Sequence, residues 1–359
     1  MKQFEGRVAA ITGAGSGIGR ALAENLGAQG AHLALSDVNE SGLADTVARC
    51  EGKGVRVTSQ RVDVADRFAV EAWADSVVED HDKVNLIVNN AGVALGATVE
   101  SMSYEDFEWL MSINFWGVVY GTKAFLPHLK ASGEGHVVNV SSVFGLVSIP
   151  TQSAYNAAKF AVRGFTYALR IELEIDPCGV SATTVHPGGI ATNIAKDARM
   201  DESVADVTGS AEEAKLEFDK FLRTDPDKAA RQILKAVQRN RRRALIGPDA
   251  VVFDAVSRLP AGIYQRVLAG GARRQRGCAE LQWATQPAAA PSASKAQPTH
   301  STPTAPTENW RPGLPFDGSC PASPPLLLTP SRTTSRRTTT PSVLPNPPAR
   351  CPTPTPKTG

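Results

Sequence analysis

A serine, a tyrosine and a lysine stand at positions 142, 155 and 159. In the run Ser153-Ala-Tyr155-Asn-Ala-Ala-Lys159, a helix would place Tyr155 and Lys159 four residues apart on one face. A phenol with an ordinary pKa near ~10 is a poor proton donor or acceptor at neutral pH. An ammonium held beside it favours the phenolate and pulls that pKa toward the working range. Alone, a Tyr-x-x-x-Lys spacing is usually a surface accident, so its meaning depends on what accompanies it.

The elements that must position it begin at the other end of the chain. Arg7-Val-Ala-Ala-Ile-Thr12 reads as a short buried strand that runs into Gly13-Ala-Gly15-Ser16-Gly17-Ile18-Gly19. Arg20 to Leu26 then shows helical apolar spacing. Strand, glycine turn and helix start are the context of a phosphate-binding loop, where bare backbone and helix N-terminal N–H groups meet a pyrophosphate. The next apolar segment, Ala31 to Ser36, ends at Asp37. A carboxylate there can be a plain turn residue, or it can accept hydrogen bonds from the adenosine ribose of NAD. After the glycine loop, the second reading is favoured. Asp37 would also repel the 2′-phosphate of NADP, and Ser16 and Val38 stand where a cation would serve that phosphate. NAD is therefore expected over NADP, with Arg20 and Arg61 the cations that could reverse the preference.

Taken in order, these residues resemble the short-chain dehydrogenase/reductase family from about Lys2 to Gly277. The resemblance rests on the Thr12–Gly19 loop, Asn89-Asn90-Ala91-Gly92, Asn114, Ser142, Tyr155 with Lys159, and Pro187-Gly188 followed by Thr192. It implies that Tyr155 is the general acid or base at a carbonyl or alcohol. Lys159 would lower its pKa and hold the nicotinamide ribose, Ser142 would hydrogen-bond the substrate oxygen, and Asn114 would anchor a proton-relaying water. The same resemblance assigns cofactor contacts to Thr12, Gly13, Gly15, Ser16, Gly17, Ile18, Gly19, Asp37, Asp63 and Val64. It adds Asn90, Ala91, Gly92, Tyr155, Lys159, Pro187, Gly188, Ile190 and Thr192. It further implies a homodimer or homotetramer built through the helices around Asn114 and Tyr155. No metal is called for, since no His/Cys cluster has ligand spacing.

Further strands are expected over Arg56–Val64 (ending at Asp63), Val84–Asn89, His136–Ser141 and Val180–Val185, and helices over Tyr104–Leu129 and Ala154–Glu174. Strand–helix alternation predicts an α/β fold, a Rossmann-type doubly wound parallel sheet in a single domain, residues 1–277. Every candidate residue falls at the C-terminal end of a strand or on the helix that follows. The apolar run Val143–Pro150 suggests a secondary alcohol or ketone with an apolar body, or else ordinary core. Residues 193–224 are longer than a simple connection and read as a lid, in which Arg199 and Arg223 could steer a carboxylate.

Other conspicuous residues read more simply. His186 is expected to pack, Trp73, Trp109 and Trp116 to fill core or interface, and Cys50 and Cys178 to be free thiols. The Arg239–Arg243 cluster suits a helix C-terminus better than a nucleic-acid patch, and a net charge of +2 argues against a dedicated polyanion partner. No run of ~18 apolar residues occurs, and the first strand starts within a few residues of Met1, so no membrane span and a cytoplasmic location are expected. Eighteen of the twenty-five prolines lie between Pro287 and Pro356, so residues 278–359 are expected to be a disordered low-complexity tail. An interaction tail and translation past the natural end both fit, and the lack of repeat, charge block or periodicity favours the latter. Removing everything after Gly277 should leave the circular dichroism spectrum and activity unchanged.

Two functions remain to be separated: an NAD-dependent dehydrogenase or reductase working through Tyr155, and a non-catalytic NAD(H) sensor or assembly protein.

Overall fold

The strands are near-continuous apolar runs because both of their faces are covered. In β1 (Val8–Thr12), Ala9 and Ile11 join one core cluster while Val8 and Ala10 join another on the opposite face. The computed structural model describes residues 1–52, 54–208, 223–260 and 262–273. The boundary placed after Gly277, and the tail beyond it, lie outside these residues.

Helices and strands alternate as α1 (Gly17–Ala28), β2 (His32–Asp37), α2 (Glu40–Cys50), β3 (Val57–Arg61), α3 (Arg67–His81), β4 (Leu86–Asn89) and β5 (Leu95–Gly96). They continue with α4 (Tyr104–Met111), α5 (Gly117–Ala131), β6 (Gly135–Val140), α6 (Ser153–Ile175), β7 (Val180–Pro187), β8 (Arg199–Met200) and α7 (Val204–Thr208). After residues 209–222 come α8 (Pro226–Gln238), β9 (Arg243–Ile246) and α9 (Pro248–Val256). Seven strands form one parallel sheet in the order β3-β2-β1-β4-β6-β7-β9. From β1 the chain first winds outward to β3 and then returns to β4 on the other side. That reversal opens a crevice at the C-terminal ends of β1 and β4, where a doubly wound sheet binds its ligand.

One core lies under α1 and α8, with Leu22, Leu26, Ile233 and Val237 packed on Ile11, Leu33 and Leu35. The other lies under α3, α5 and α6, where Trp73 meets Phe125 edge-on at 5.1 Å. Trp116 is instead half-exposed and stacks on Tyr120. Cys50 is buried and Cys178 half-buried, and among the described residues neither forms a disulfide. Of the basic cluster, Arg242 pairs with Glu174 and Arg243 with Asp254, both at 2.6 Å. The chain turns from α8 to β9 with Asn240 in the left-handed region (φ 47°) and an Arg241 N–H to Ala236 carbonyl bond.

Two expected element bounds need correction. The third strand stops at Arg61 rather than Asp63, because Asp63 folds its carboxylate back onto the Ala65 N–H at 2.9 Å. The helix expected over Tyr104–Leu129 is interrupted by a π-helical turn at Ser112–Trp116. The apolar run Val143–Pro150 is mostly core: Val143, Leu146 and Val147 are buried. Of the expected lid, only 193–208 and 223–224 are among the described residues. There β8 pairs with β5, and Arg199 lies 3.6 Å over the Trp109 ring while bonding Asp106 at 2.7 Å. That engagement leaves Arg199 a strut between the segment and α4 rather than a steering charge. Among the described residues no helix is long and apolar enough to cross a membrane.

Candidate active site

The crevice encloses about 370 Å³. Its floor is drawn together by Thr12, whose Oγ1 accepts the N–H groups of Asn90 (3.0 Å) and Ala91 (3.1 Å). Asn90 returns its side-chain amide to the carbonyls of Thr12 (3.0 Å) and Gly13 (3.1 Å). The ends of β1 and β4 are thus stitched to each other. Gly13 has φ +65°, and a Cβ there would sit 2.8 Å from the Ala91 Cα. A Cβ on Gly19 would strike the Gly13 carbonyl, so α1 approaches the loop backbone to backbone. Ser16 is the N-cap of α1, yet its hydroxyl makes no cap bond. The N-terminal N–H groups of α1 therefore face the crevice region without a side-chain cap, as an anion site requires.

Asp37 ends β2 beside this loop. Its Oδ2 accepts the Gly15 N–H at 2.7 Å and its Oδ1 the Asn39 N–H at 2.9 Å. Arg20 turns away from the crevice: its guanidinium bonds the carbonyls of Gly15 and Gly42 and the Thr46 hydroxyl. Arg61 is exposed and pairs with Asp37 only through backbone register. Neither arginine lines the cavity, whereas Ser16, Val38 and Asn39 do.

At the other end, β6 delivers Ser142 and α6 delivers Tyr155 and Lys159. The Ser141 hydroxyl donates to the Lys159 carbonyl at 2.8 Å, which ties α6 to the strand end. Lys159 Nζ donates to the Val140 carbonyl at 3.1 Å and lies 5.5 Å from the centre of the Tyr155 ring. Ser142 Oγ accepts the Phe144 N–H at 3.1 Å, and the Phe144 ring meets Tyr155 edge-on at 6.3 Å. Asn114 occupies the π-helical turn and is fully buried. Its side chain bonds both the N–H and the carbonyl of Val93, each at 2.8 Å. A Cβ on Gly92 would lie 3.1 Å from Asn114 Oδ1, a tight contact, and 3.5 Å from Lys159 Nζ, so Gly92 packs directly against both side chains.

Burial dominates the electrostatics here. It pushes the Tyr155 phenol up to about 12, with the hydrogen bond to Ser142 acting the other way, and lowers the Lys159 ammonium to about 8. The expected downward pull of Lys159 on Tyr155 is therefore overridden in the free protein. Desolvating the phenolate outweighs a neighbour whose own charge burial weakens. His186 is fully buried, and its Nδ1 donates to the Ser142 carbonyl at 3.0 Å. Burial holds its pKa down to about 4, so the ring stays neutral and holds Ser142 in place.

Of the residues singled out in the sequence, Gly13, Ser16, Gly17, Ile18, Asp37, Asp63, Val64, Asn90, Ala91 and Gly92 line the cavity. So do Ser142, Tyr155, Lys159, Pro187, Gly188, Ile190 and Thr192. Thr12, Gly15, Gly19 and Asn114 stand one layer behind and hold the lining backbone. Sequence reading missed Val62, Val93, Ala94, Ile113 and Gln152, which also line it, while Phe144 comes from the apolar run and Asn193 and Asp197 from the expected lid. Val62 and Val93 adjoin predicted residues, and Gln152 stands three before Tyr155; those signals were available. Ile113 and Asp197 arrive through the π turn and the lid, whose paths no local pattern reveals.

A doubly wound sheet with a glycine loop at its switch point and a Ser/Tyr/Lys group at the same crevice defines a dinucleotide-dependent class of enzyme. A family model described as short chain dehydrogenase matches residues 7–203. SadH of Mycobacterium tuberculosis, provisionally named an oxidoreductase, is 50% identical over 273 residues, covering 76% of this chain and 97% of its own. The C alpha-dehydrogenase of a Sphingobium species is 33% identical over 301 residues, covering 78% and 98%. A crystal structure of a Burkholderia phymatum short-chain dehydrogenase/reductase in complex with NAD superposes with a TM-score of 0.66 at 34% identity, over 72% of this chain and 94% of that one. The chain belongs to the short-chain dehydrogenase/reductase family of oxidoreductases.

Proposed function

We propose that the protein interconverts a secondary alcohol and a ketone with NAD as cofactor, Tyr155 being the general acid or base. The observation that carries this reading is the convergence of Ser142, Tyr155 and Lys159 on one crevice with the glycine loop and Asp37. The residues fit a nicotinamide dinucleotide. The loop glycines leave room for a pyrophosphate at the start of α1, Asp37 suits ribose hydroxyls, and Asp63 and Val64 flank the adenine side. Asn90 to Gly92, Pro187, Gly188, Ile190 and Thr192 would hold the remainder. When bound, such a cofactor supplies the hydride acceptor or donor.

Tyr155 gives its proton to the substrate oxygen in reduction and takes it back in oxidation. The Ser142 hydroxyl donates a hydrogen bond to that oxygen, where charge develops. Lys159 places a cation beside the phenol, and Asn114, through Val93 and Gly92, keeps the space next to that cation open for a proton-relaying water. With its phenol pKa near 12, Tyr155 is ready for ketone reduction at neutral pH. Alcohol oxidation needs the phenolate, so its rate should climb with pH while reduction does not.

An apolar substrate body is retained in this reading; it rests on Phe144, the residue of the Val143–Pro150 run that lines the crevice, together with Ala94 and Ile194. A homodimer or homotetramer through α5 and α6 belongs to the same proposal, which Trp116 and Phe160, exposed on that side, support.

A panel of alcohols and ketones followed through NADH absorbance tests the reaction. NADH binding without turnover anywhere in the panel would return the chain to the sensor reading. Cofactor choice is tested separately by Asp37→Asn, which keeps an acceptor for the Gly15 N–H but removes the charge. The NADPH-to-NADH affinity ratio, read by nucleotide fluorescence, should rise about tenfold or more. A wild-type chain that prefers NADPH would show Asp37 to be misread.

A further inference from the structure

Asp249 stands in the first turn of α9, after the residues 7–203 that the family model matches, and its carboxylate does not cap its own helix. Oδ2 instead accepts the N–H of Gly189 at 2.6 Å. The chain makes room for it twice. A Cβ on Gly188 would collide with the carboxylate, and one on Gly247 would sit 2.5 Å from Oδ1. Gly247 also has φ +94°, which favours glycine in its own right. Here the β7–β9 ladder ends, with Pro187 opposite Ile246 and the Gly188 N–H donating to the Ile246 carbonyl at 2.9 Å. Asp249 adds one further tie just past that end. The Gly189 carbonyl accepts the Thr224 N–H at 2.9 Å, and the Ala191 N–H bonds the Thr224 carbonyl at 2.9 Å. The peptide at Gly189 is thereby held from both sides.

Asp249 Oδ1 is buried without a hydrogen-bond partner among the described residues, an unfavourable state for a carboxylate oxygen. A group kept in that state is better explained by what its other oxygen orients than by stability. What it orients is the turn Pro187–Thr192, four of whose residues line the crevice. That turn leaves β7 directly after His186, the residue that holds Ser142.

We propose that Asp249 is a positioning residue: by anchoring the Gly188–Gly189 peptide, it preforms the wall of the crevice beside Ser142 for the nicotinamide end of the cofactor. The inference rests on the proposed use of a nicotinamide dinucleotide. Its test compares the full-length wild type with Asp249→Ala in three measurements: NADH titration by fluorescence, ADP-ribose titration by calorimetry, and hydrogen exchange of residues 187–192 in the free protein. The expected result is a loss of about tenfold in NADH affinity, with ADP-ribose affinity within about twofold and faster exchange across the turn. Equal losses for the two ligands, or no loss of NADH affinity, would overturn it. Should Asp249→Ala not fold, Asp249→Asn carries the test, since its amide oxygen can still accept from Gly189. It should keep slow exchange and NADH affinity within about threefold of wild type. Fast exchange with unchanged affinity would overturn the inference. A wild type that binds neither ligand would overturn the proposed function, and the role of Asp249 with it.

Discussion

Tyr155→Phe is expected to lower kcat/KM by about 10³-fold, in the range general acid–base groups supply, while the Kd for NADH stays within about threefold of wild type. The ring survives this change, so its edge-on contact with Phe144 and its place over Lys159 are kept. Only the hydroxyl, with its bond to Ser142, disappears. A variant that lost binding as well would point to a structural role for the hydroxyl, and one with wild-type turnover would remove Tyr155 from the chemistry. A stopped-flow rate with the best substrate of the panel, beside a fluorescence titration, separates these outcomes.

Lys159→Met is expected to do two opposite things: to abolish most of the activity and to make the folded protein more stable at pH 7. The lysine is almost entirely buried, its pKa falls to about 8, and its ammonium donates to the Val140 carbonyl. Between about pH 8 and 10.5 the unfolded chain therefore binds the proton more strongly than the folded chain does. The penalty for burying the charge is present in full below pH 8 and is relieved as pH rises through that window. A methionine of similar length avoids the penalty but leaves the Val140 carbonyl unsatisfied. The net gain should be about 1–2 kcal/mol at neutral pH. Denaturant melts of the two proteins from pH 7 to 10.5 provide the measurement. The gap should close toward the alkaline end, and a variant less stable than wild type at pH 7 would show that the ammonium is better satisfied than its surroundings suggest.

The parts of this site legible in the sequence are those whose chemistry and backbone demands coincide. Gly13, Gly17 and Gly19 must be glycines because the chain passes too close to itself for a Cβ, and that need leaves a visible pattern. Tyr155 and Lys159 were readable because four residues on a helix is one turn of contact. The apolar run after Ser142 was ambiguous for a physical reason: burial in a core and burial against a ligand select the same side chains. Phe144 borders the crevice while Val143 beside it does not, and only the 3₁₀ turn at Val143–Gly145 decides which. The raised phenol pKa was equally out of reach, since desolvation depends on everything packed around Tyr155. Asp249 lies sixty residues from the glycine it holds, and nothing local marks such a pair.

The wide turn at Ser112–Trp116 places one residue more in the path from Tyr104 to Ala131 than a regular helix would use. Each residue of an α-helix advances the chain by about 100°, so the turn works as an angular offset between α4 and α5. Shortening it by one residue would give a smoother rod and a worse enzyme. Either Asn114 would rotate away from Val93, or the α4 face carrying Trp109 would swing out from under Arg199. Homologues can therefore be expected to lengthen and shorten their surface loops freely while keeping this residue count constant, so the spacing from Trp109 to Asn114, which spans the turn and no loop, is a sounder anchor for sequence alignment than the helix boundaries themselves.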